Sequence, residues 1–213
     1  MYLYLINKTY FKNKLELTGL NNSQTGTDEK LTDYINVYVV DFLQKLLGSE
    51  DFEELNTNIE EGVLKADAPQ RWLDFVNGKT YELNGKSYVW KGLLYTNGSV
   101  DLSILANVVF CQIFADLETN NGRISIDVKS AVKTIPRSHF VGIWNEIAEQ
   151  FNVCDGEIQP KVSIVNGVPF VDYFGSDKNN NYVTLSQYLT DFKDVYTNVN
   201  LNLGYEVQNR FDL

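Results

Sequence analysis

Histidine, cysteine, proline and basic residues are all scarce in this chain of 213 residues. The single histidine, His139, leaves no set of imidazoles for a zinc site and no base paired to a nucleophile. It falls at the start of a helical stretch, where a surface or capping position is expected. The two cysteines, Cys111 and Cys154, lie in different segments and form no C-x-x-C, so a reducing compartment is expected. Cys111 sits in an apolar stretch and reads as a small buried side chain. Lys and Arg number 18 against 28 Asp and Glu, for a net charge of -10. That deficit argues against a general nucleic-acid binder and against an anionic membrane surface as partner. No apolar run is long enough for a bilayer. The best, Leu102 to Phe114, is interrupted by Ser103, Asn107 and Gln112. The opening MYLYLINKTY has neither a charged leader nor a small-residue cleavage site, so a secretory signal is not expected.

Motifs are missing too. There is no phosphate loop, dinucleotide fingerprint, H-E-x-x-H, nucleophile elbow or EF-hand loop. DKNNN at 177–181 offers oxygens without the carboxylate spacing of a calcium site and reads as a loop. No catalytic residue, cofactor or metal is expected. An internal repeat of fixed period is also lacking.

What is present is a helix-and-strand pattern centred on PQRWLDFVNGKTYELNGKSYVWKGLLY, residues 69–95. Pro69 suits the first turn of a short helix and Gly78 its end. Asn84-Gly85 is a strong signal for a two-residue turn, because both residues tolerate positive φ. The hairpin 79–91 then pairs Leu83 with Lys86, Tyr81 with Tyr88 and Lys79 with Trp90. Tyr81, Leu83, Tyr88 and Trp90 share one face, and with Trp72 they are expected to serve packing. The near all-round apolar helix from Leu102 to Phe114, capped by Ser99 or Asp101, is the expected partner inside the molecule.

Around this unit, Leu31, Ile35, Tyr38, Phe42 and Leu46 predict a helix over 28–47, with Gly48 at its end. A second helix is expected from Ser49 to about Glu61. Its acids, Glu50, Asp51, Glu53, Glu54, Glu60 and Glu61, have no basic residue among them and read as a solvated face. Phe140, Trp144, Ile147 and Phe151 predict a helix from Pro136 to Asn152. The fold class is α+β, mainly α: a bundle of about four to five helices with the hairpin 79–91 inserted. The expected division is 1–27, 28–152 and 153–213. The first part, with Lys8, Lys12 and Lys14, is either an edge strand or ordered lead-in, or a docking arm. The last is a strand-rich extension packed on the core, with a second hairpin over 161–174 about Asn166-Gly167, a short helix through Ser186 and Leu189, and a tail alternating Val199, Leu201 and Leu203.

The order of these segments resembles the head-tail connector, or neck-ring, proteins of tailed phages and prophages of Bacteroidetes hosts, crAss-like phages among them. The likeness is carried by R-W followed by G-K-x-Y-x-x-N-G-K-x-Y-x-W-x-G-L. Here these are Arg71, Trp72, Gly78, Tyr81, Asn84, Gly85, Lys86, Tyr88, Trp90, Gly92 and Leu93. Flanking elements extend it weakly from INKTYF to YEVQNRFDL. The resemblance implies a structural virion protein, not an enzyme. It would be made in the host cytoplasm and assembled with itself as a ring, commonly twelvefold. Its partners would be the portal protein and adjacent neck or tail proteins, with DNA passing through unbound and no membrane involved. The six acids would then be candidate channel-facing residues and the lysine-bearing N-terminus a candidate docking arm. Two alternatives stand beside it: a small phage-encoded partner-binding protein, and a cell-wall hydrolase using a pair of carboxylates.

Overall fold

The computed structural model describes residues 4–16, 27–119, 137–151, 162–165, 168–171 and 182–204. Helices and small antiparallel hairpins make up the described residues. The helices are α1 (Thr27–Thr57), α2 (Gln70–Asn77), α3 (Ile104–Thr119), α4 (Arg137–Phe151) and α5 (Leu185–Asp191). The strands pair with their sequence neighbours: β1 (Ile59–Glu60) with β2 (Val63–Leu64), β3 (Lys79–Leu83) with β4 (Lys86–Trp90), β5 (Leu94–Asn97) with β6 (Val100–Ser103), and β7 (Val162–Val165) with β8 (Val168–Val171). Val89 of β4 also bridges Tyr182 in parallel, its carbonyl accepting from the Val183 N–H at 3.0 Å.

Helix α3 is central because its sequence has no polar face. Every residue from Ser103 to Cys111 is buried. It packs against both α1 and α4. The one polar side chain in mid-span, Asn107, reaches Gln150 of α4 at 3.5 Å, which offsets part of the cost of burying an amide. Aromatic pairs close the flanks: Phe42 of α1 meets Phe151 edge-on, and Phe114 stacks on Phe140 at 4.9 Å. Burial of Cys111 is as expected.

Helix α1 is two helices joined at Gly48, whose φ of 73° and ψ of 170° are not helical. The expected stop at Gly48 is therefore correct, and the chain restarts at once. The second half ends sooner than expected, at Thr57. Ile59 and Glu60 instead open the short hairpin to Val63 and Leu64, and Glu61 and Gly62 form its turn with φ of 50° and 81°. Two left-handed residues in succession are what a type I′ turn requires.

The hairpin β3–β4 has the predicted register: Lys79 pairs with Trp90, Tyr81 with Tyr88 and Leu83 with Lys86. The predicted start of α3 is wrong. Asp101 and Leu102 belong to β6, and residues 94–103 form a further hairpin about Gly98-Ser99. Ser103 starts the helix, its Oγ accepting from the Leu105 N–H at 3.1 Å. Strands β7 and β8 of the second expected hairpin pair antiparallel, with Ile164 opposite Pro169, and residues 166–167 lie outside the described residues. The alternating stretch RISIDVK at 123–129, read as a half-buried strand or an extended crossing segment, and Cys154 lie outside the described residues.

Residues 4–16 form no strand. They make two single 3₁₀ turns, Lys8–Tyr10 and Asn13–Leu15, the first capped by Asn7 Oδ1 accepting from the Thr9 N–H at 2.7 Å. Leu5, Ile6, Phe11 and Leu15 are buried in the same cluster that runs on to Tyr196. With four side chains in the chain's own core, 4–16 is an ordered lead-in and not an edge strand. The segment 199–204 likewise has no strand.

Candidate functional site

Arg71 on α2 is the hub of the densest polar network among the described residues. Its Nη1 lies 3.1 Å from Asp51 Oδ1 and donates to the Val195 carbonyl at 2.9 Å. Its Nε donates to Glu54 Oε1 at 3.2 Å, and Nη2 donates to Glu54 Oε2. The planar fork suits this use: two donors meet one carboxylate, and a third nitrogen bridges two other groups. Trp72 Nε1 also donates to Glu54 Oε1, at 3.0 Å, and the Arg71 guanidinium lies over the indole at 4.4 Å. Burial raises the Glu54 pKa, but the hydrogen bonds from Arg71 and Trp72 outweigh it and hold the carboxyl below its ordinary value. The network ties the second half of α1 to α2 and to the chain after α5.

Behind the network is an aromatic cluster. Trp72, Phe75 and Tyr196 meet pairwise at 5.8–6.0 Å. Trp90 stacks on Tyr188 at 5.3 Å, and Tyr81 meets Phe192 edge-on at 4.9 Å while stacking on Tyr88. The Tyr196 hydroxyl donates to the Arg71 carbonyl at 2.7 Å and Tyr81 donates to Asp191 Oδ2. Burial pushes the Tyr188 phenol up to about 12, and raises Tyr81 and Tyr196 as well. These phenols stay neutral at any ordinary pH, which suits packing and not acid-base work. The hairpin's aromatic side chains thus pack on α5 and the residues after it.

The base of the hairpin is fixed by two backbones in contact. Gly78, φ 93° and ψ 163°, ends α2. A Cβ there would lie 2.6 Å from the Trp90 and Lys91 carbonyl oxygens, and a Cβ on Gly92 would lie 2.5 Å from the Val76 carbonyl oxygen. Trp90 Nε1 donates to the Phe75 carbonyl at 3.0 Å, binding strand to helix. The far end is free. Residues 82–87 are all exposed, and a Cβ on Gly85 would meet nothing within 4 Å.

The six acids of the 49–61 stretch separate. Asp51 is buried beside Arg71, with Oδ2 accepting no hydrogen bond. Glu54 belongs to the Arg71 network, and Glu50 accepts from Asn198 Nδ2 at 3.2 Å. Glu53, Glu60 and Glu61 are exposed. They therefore form no single acidic helix face, because the helix ends before Glu60 and Asp51 turns inward. Lys8, Lys12 and Lys14 are exposed on the anchored N-terminal segment, and Lys14 pairs with Glu146. His139 lies at the third position of α4, edge-on to Phe110, with Nε2 2.5 Å from the Lys14 carbonyl oxygen.

Sequence reasoning missed Tyr188, Asp191 and Tyr196. Each contacts Arg71 or Tyr81, more than 100 positions away, and no local spacing announces such a contact. Among the described residues no three His, Cys, Asp or Glu side chains are grouped to hold a metal ion, and no helix is long and apolar enough to cross a membrane. No protein-family model, curated protein or solved structure matches the chain.

Proposed function

We propose that the chain is a structural, non-enzymatic virion subunit, one of a ring that joins the portal vertex of a phage capsid to the tail and leaves a channel for DNA. One observation carries this reading. The residues of the resemblance, Arg71, Trp72, Gly78, Tyr81, Asn84, Gly85, Lys86, Tyr88, Trp90, Gly92 and Leu93, fall in one helix–hairpin unit whose base is locked to the core and whose tip stands clear. Such a unit offers rigidity and a projecting contact, which ring subunits need. The helices act as a bundle-like wedge, and the hairpin 79–91 reaches a neighbour. Contacts of this kind are heterologous and close by rotation into a ring, twelvefold in the proteins it resembles. Exposed Glu53, Glu60 and Glu61 face the channel, where they repel phosphate and let the duplex slide. Lys8, Lys12 and Lys14 meet the portal or an adjacent neck or tail protein.

The hydrolase alternative draws no support from Glu54. Its carboxyl is held below the ordinary range, the reverse of what a general acid needs. Two exposed apolar side chains at hairpin ends, Val63 at 68% and Leu83 at 37% exposure, fit a partner-binding protein as well as a ring. Electron microscopy of the purified chain, with detection of its mass in purified virions, separates the two. Closed rings and presence in the neck are expected. A strict monomer absent from virions refutes the proposal. A basic channel wall refutes the sliding role alone.

A further inference from the structure

The chain after α5 changes character at Tyr196. Up to that residue it is pinned: Tyr196 is buried against Trp72 and Phe75, and Val195 and Tyr196 both bond Arg71. From 197 to 204 no residue is buried. Val199, Leu201 and Leu203 are half-buried against the core, alternating with exposed Asn198, Asn200 and Asn202. This extended stretch runs over the break in α1. The Asn200 N–H donates to the Leu46 carbonyl at 2.7 Å, and Asn198 Nδ2 donates to Glu50 Oε2 at 3.2 Å. Its backbone comes so close to Gly48 that a Cβ there would lie 3.0 Å from the Asn198 carbonyl oxygen.

The Leu46 carbonyl accepts from Asn200 at the point where Gly48 interrupts α1. A terminal helix carbonyl is satisfied as readily by water as by a passing N–H. The Asn202 N–H bonds Asn200 Oδ1, a contact inside the stretch that survives if the stretch leaves. Few apolar contacts and exposed backbone bonds are the physical marks of a segment that opens below the global unfolding energy.

We propose that residues 197–204 are a strap that opens as a unit about Tyr196 while the rest of the fold stays closed, uncovering a seat along the α1 break at Leu46–Glu50. The strap is the seat's own occupant, in the same chain. Seated, it fixes the direction in which the chain leaves Tyr196. Released, it frees that direction without disturbing the Arg71 network. This device is independent of the ring reading.

Fragment-resolved hydrogen exchange at low denaturant tests it. The strap amides, Asn200 above all, should exchange at least about a hundredfold faster than those of α3, with a much weaker dependence on denaturant. A short bis-maleimide joining Glu50→Cys and Asn198→Cys, in a C154S background, should slow strap exchange by at least about tenfold and leave α3 unchanged. Both positions are exposed, so the unlinked double variant is its own folded control. Strap and α3 amides exchanging together with the same denaturant dependence would overturn the proposal. So would strap exchange that ignores the cross-link, or a cross-link that joins two copies instead of closing within one.

Discussion

Replacing Gly78 by alanine tests the locked base of the hairpin. Two costs fall on the same atom. The backbone at φ 93° and ψ 163° lies in a region open essentially to glycine, so forcing an L residue there costs about 1–3 kcal/mol. The new Cβ also meets the Trp90 and Lys91 carbonyl oxygens and the Lys91 carbonyl carbon at 2.6 Å. These are backbone atoms, with no side chain to swing away. Overpacking of this sort costs a further 1–3 kcal/mol or so. The sum is about 2–6 kcal/mol, which for a chain of this size lowers Tm by roughly 2–4 °C per kcal/mol.

Gly85→Ala is the internal control. Gly85 also has a positive φ, 73°, but its Cβ would stand in open space. It should lose only the left-handed conformational cost, about 1–2 kcal/mol. Urea unfolding followed by tryptophan fluorescence reads both, since Trp72 and Trp90 are buried on either side of Gly78. The reasoning fails if the two variants lose the same stability, because the close approach would then contribute nothing. Gly78→Ala and Gly92→Ala together should lose less than the sum of the single losses. Once one Cβ has parted the two backbones, the second finds room.

Acid should loosen the Arg71 network. Folding holds Glu54 below its ordinary pKa of 4.5. Its ionised form therefore favours the fold above that value, and the contribution drains as pH falls through the lower folded value. The Glu54 side chain is 45% exposed, so the effect is a small one. Glu54→Gln should flatten the acid limb of a stability–pH curve from urea melts, and an unchanged limb would remove Glu54 as its source. Burial pushes the Cys111 thiol well above its ordinary range. In a C154S background it should resist a thiol reagent at pH 8 and react at the rate of unfolding, whereas prompt labelling would show an open path to α3. Leu83→Ser at the exposed hairpin tip should leave stability within about 0.5 kcal/mol but weaken ring assembly, read by thermal melts and by electron microscopy. A marked loss of Tm would mean that the tip packs within its own chain.

Local chemistry was legible. Asn84-Gly85 fixed the loop length, and a two-residue loop leaves one register, which the structure has. Helix α3 was legible as central because an apolar sector with no polar face admits no other place. The hairpin at 94–103 carried its own signal, Gly98-Ser99, but Leu102 also fits the i, i+3 spacing to Leu105 and was absorbed into the helix. Glu61-Gly62 failed for a similar reason: Ile59 continues the stripe of Phe52 and Leu55, so periodicity ran past the point where the backbone turns. The partner of the hairpin was not legible at all. Tyr188, Phe192 and Tyr196 lie about 100 residues downstream of it, and pattern within a window says nothing about which apolar faces meet.

Most of the residues that carry the family resemblance are consumed by the fold. Trp72 and Trp90 donate inward, Gly78 and Gly92 let two backbones touch, Tyr81 and Tyr88 stack, and Asn84-Gly85 turn the chain. A motif of this kind specifies a shape without specifying a reaction. What the fold leaves over is outward-facing: the tip at 82–87, Val63 on its own short hairpin, and Glu53, Glu60 and Glu61. Function on this reading resides in contacts made by the outward set, and stability in the inward set. The two sets are separable by mutation. A tip variant that melts normally yet fails to assemble, beside a Gly78 variant that melts early, is the pattern a ring subunit predicts.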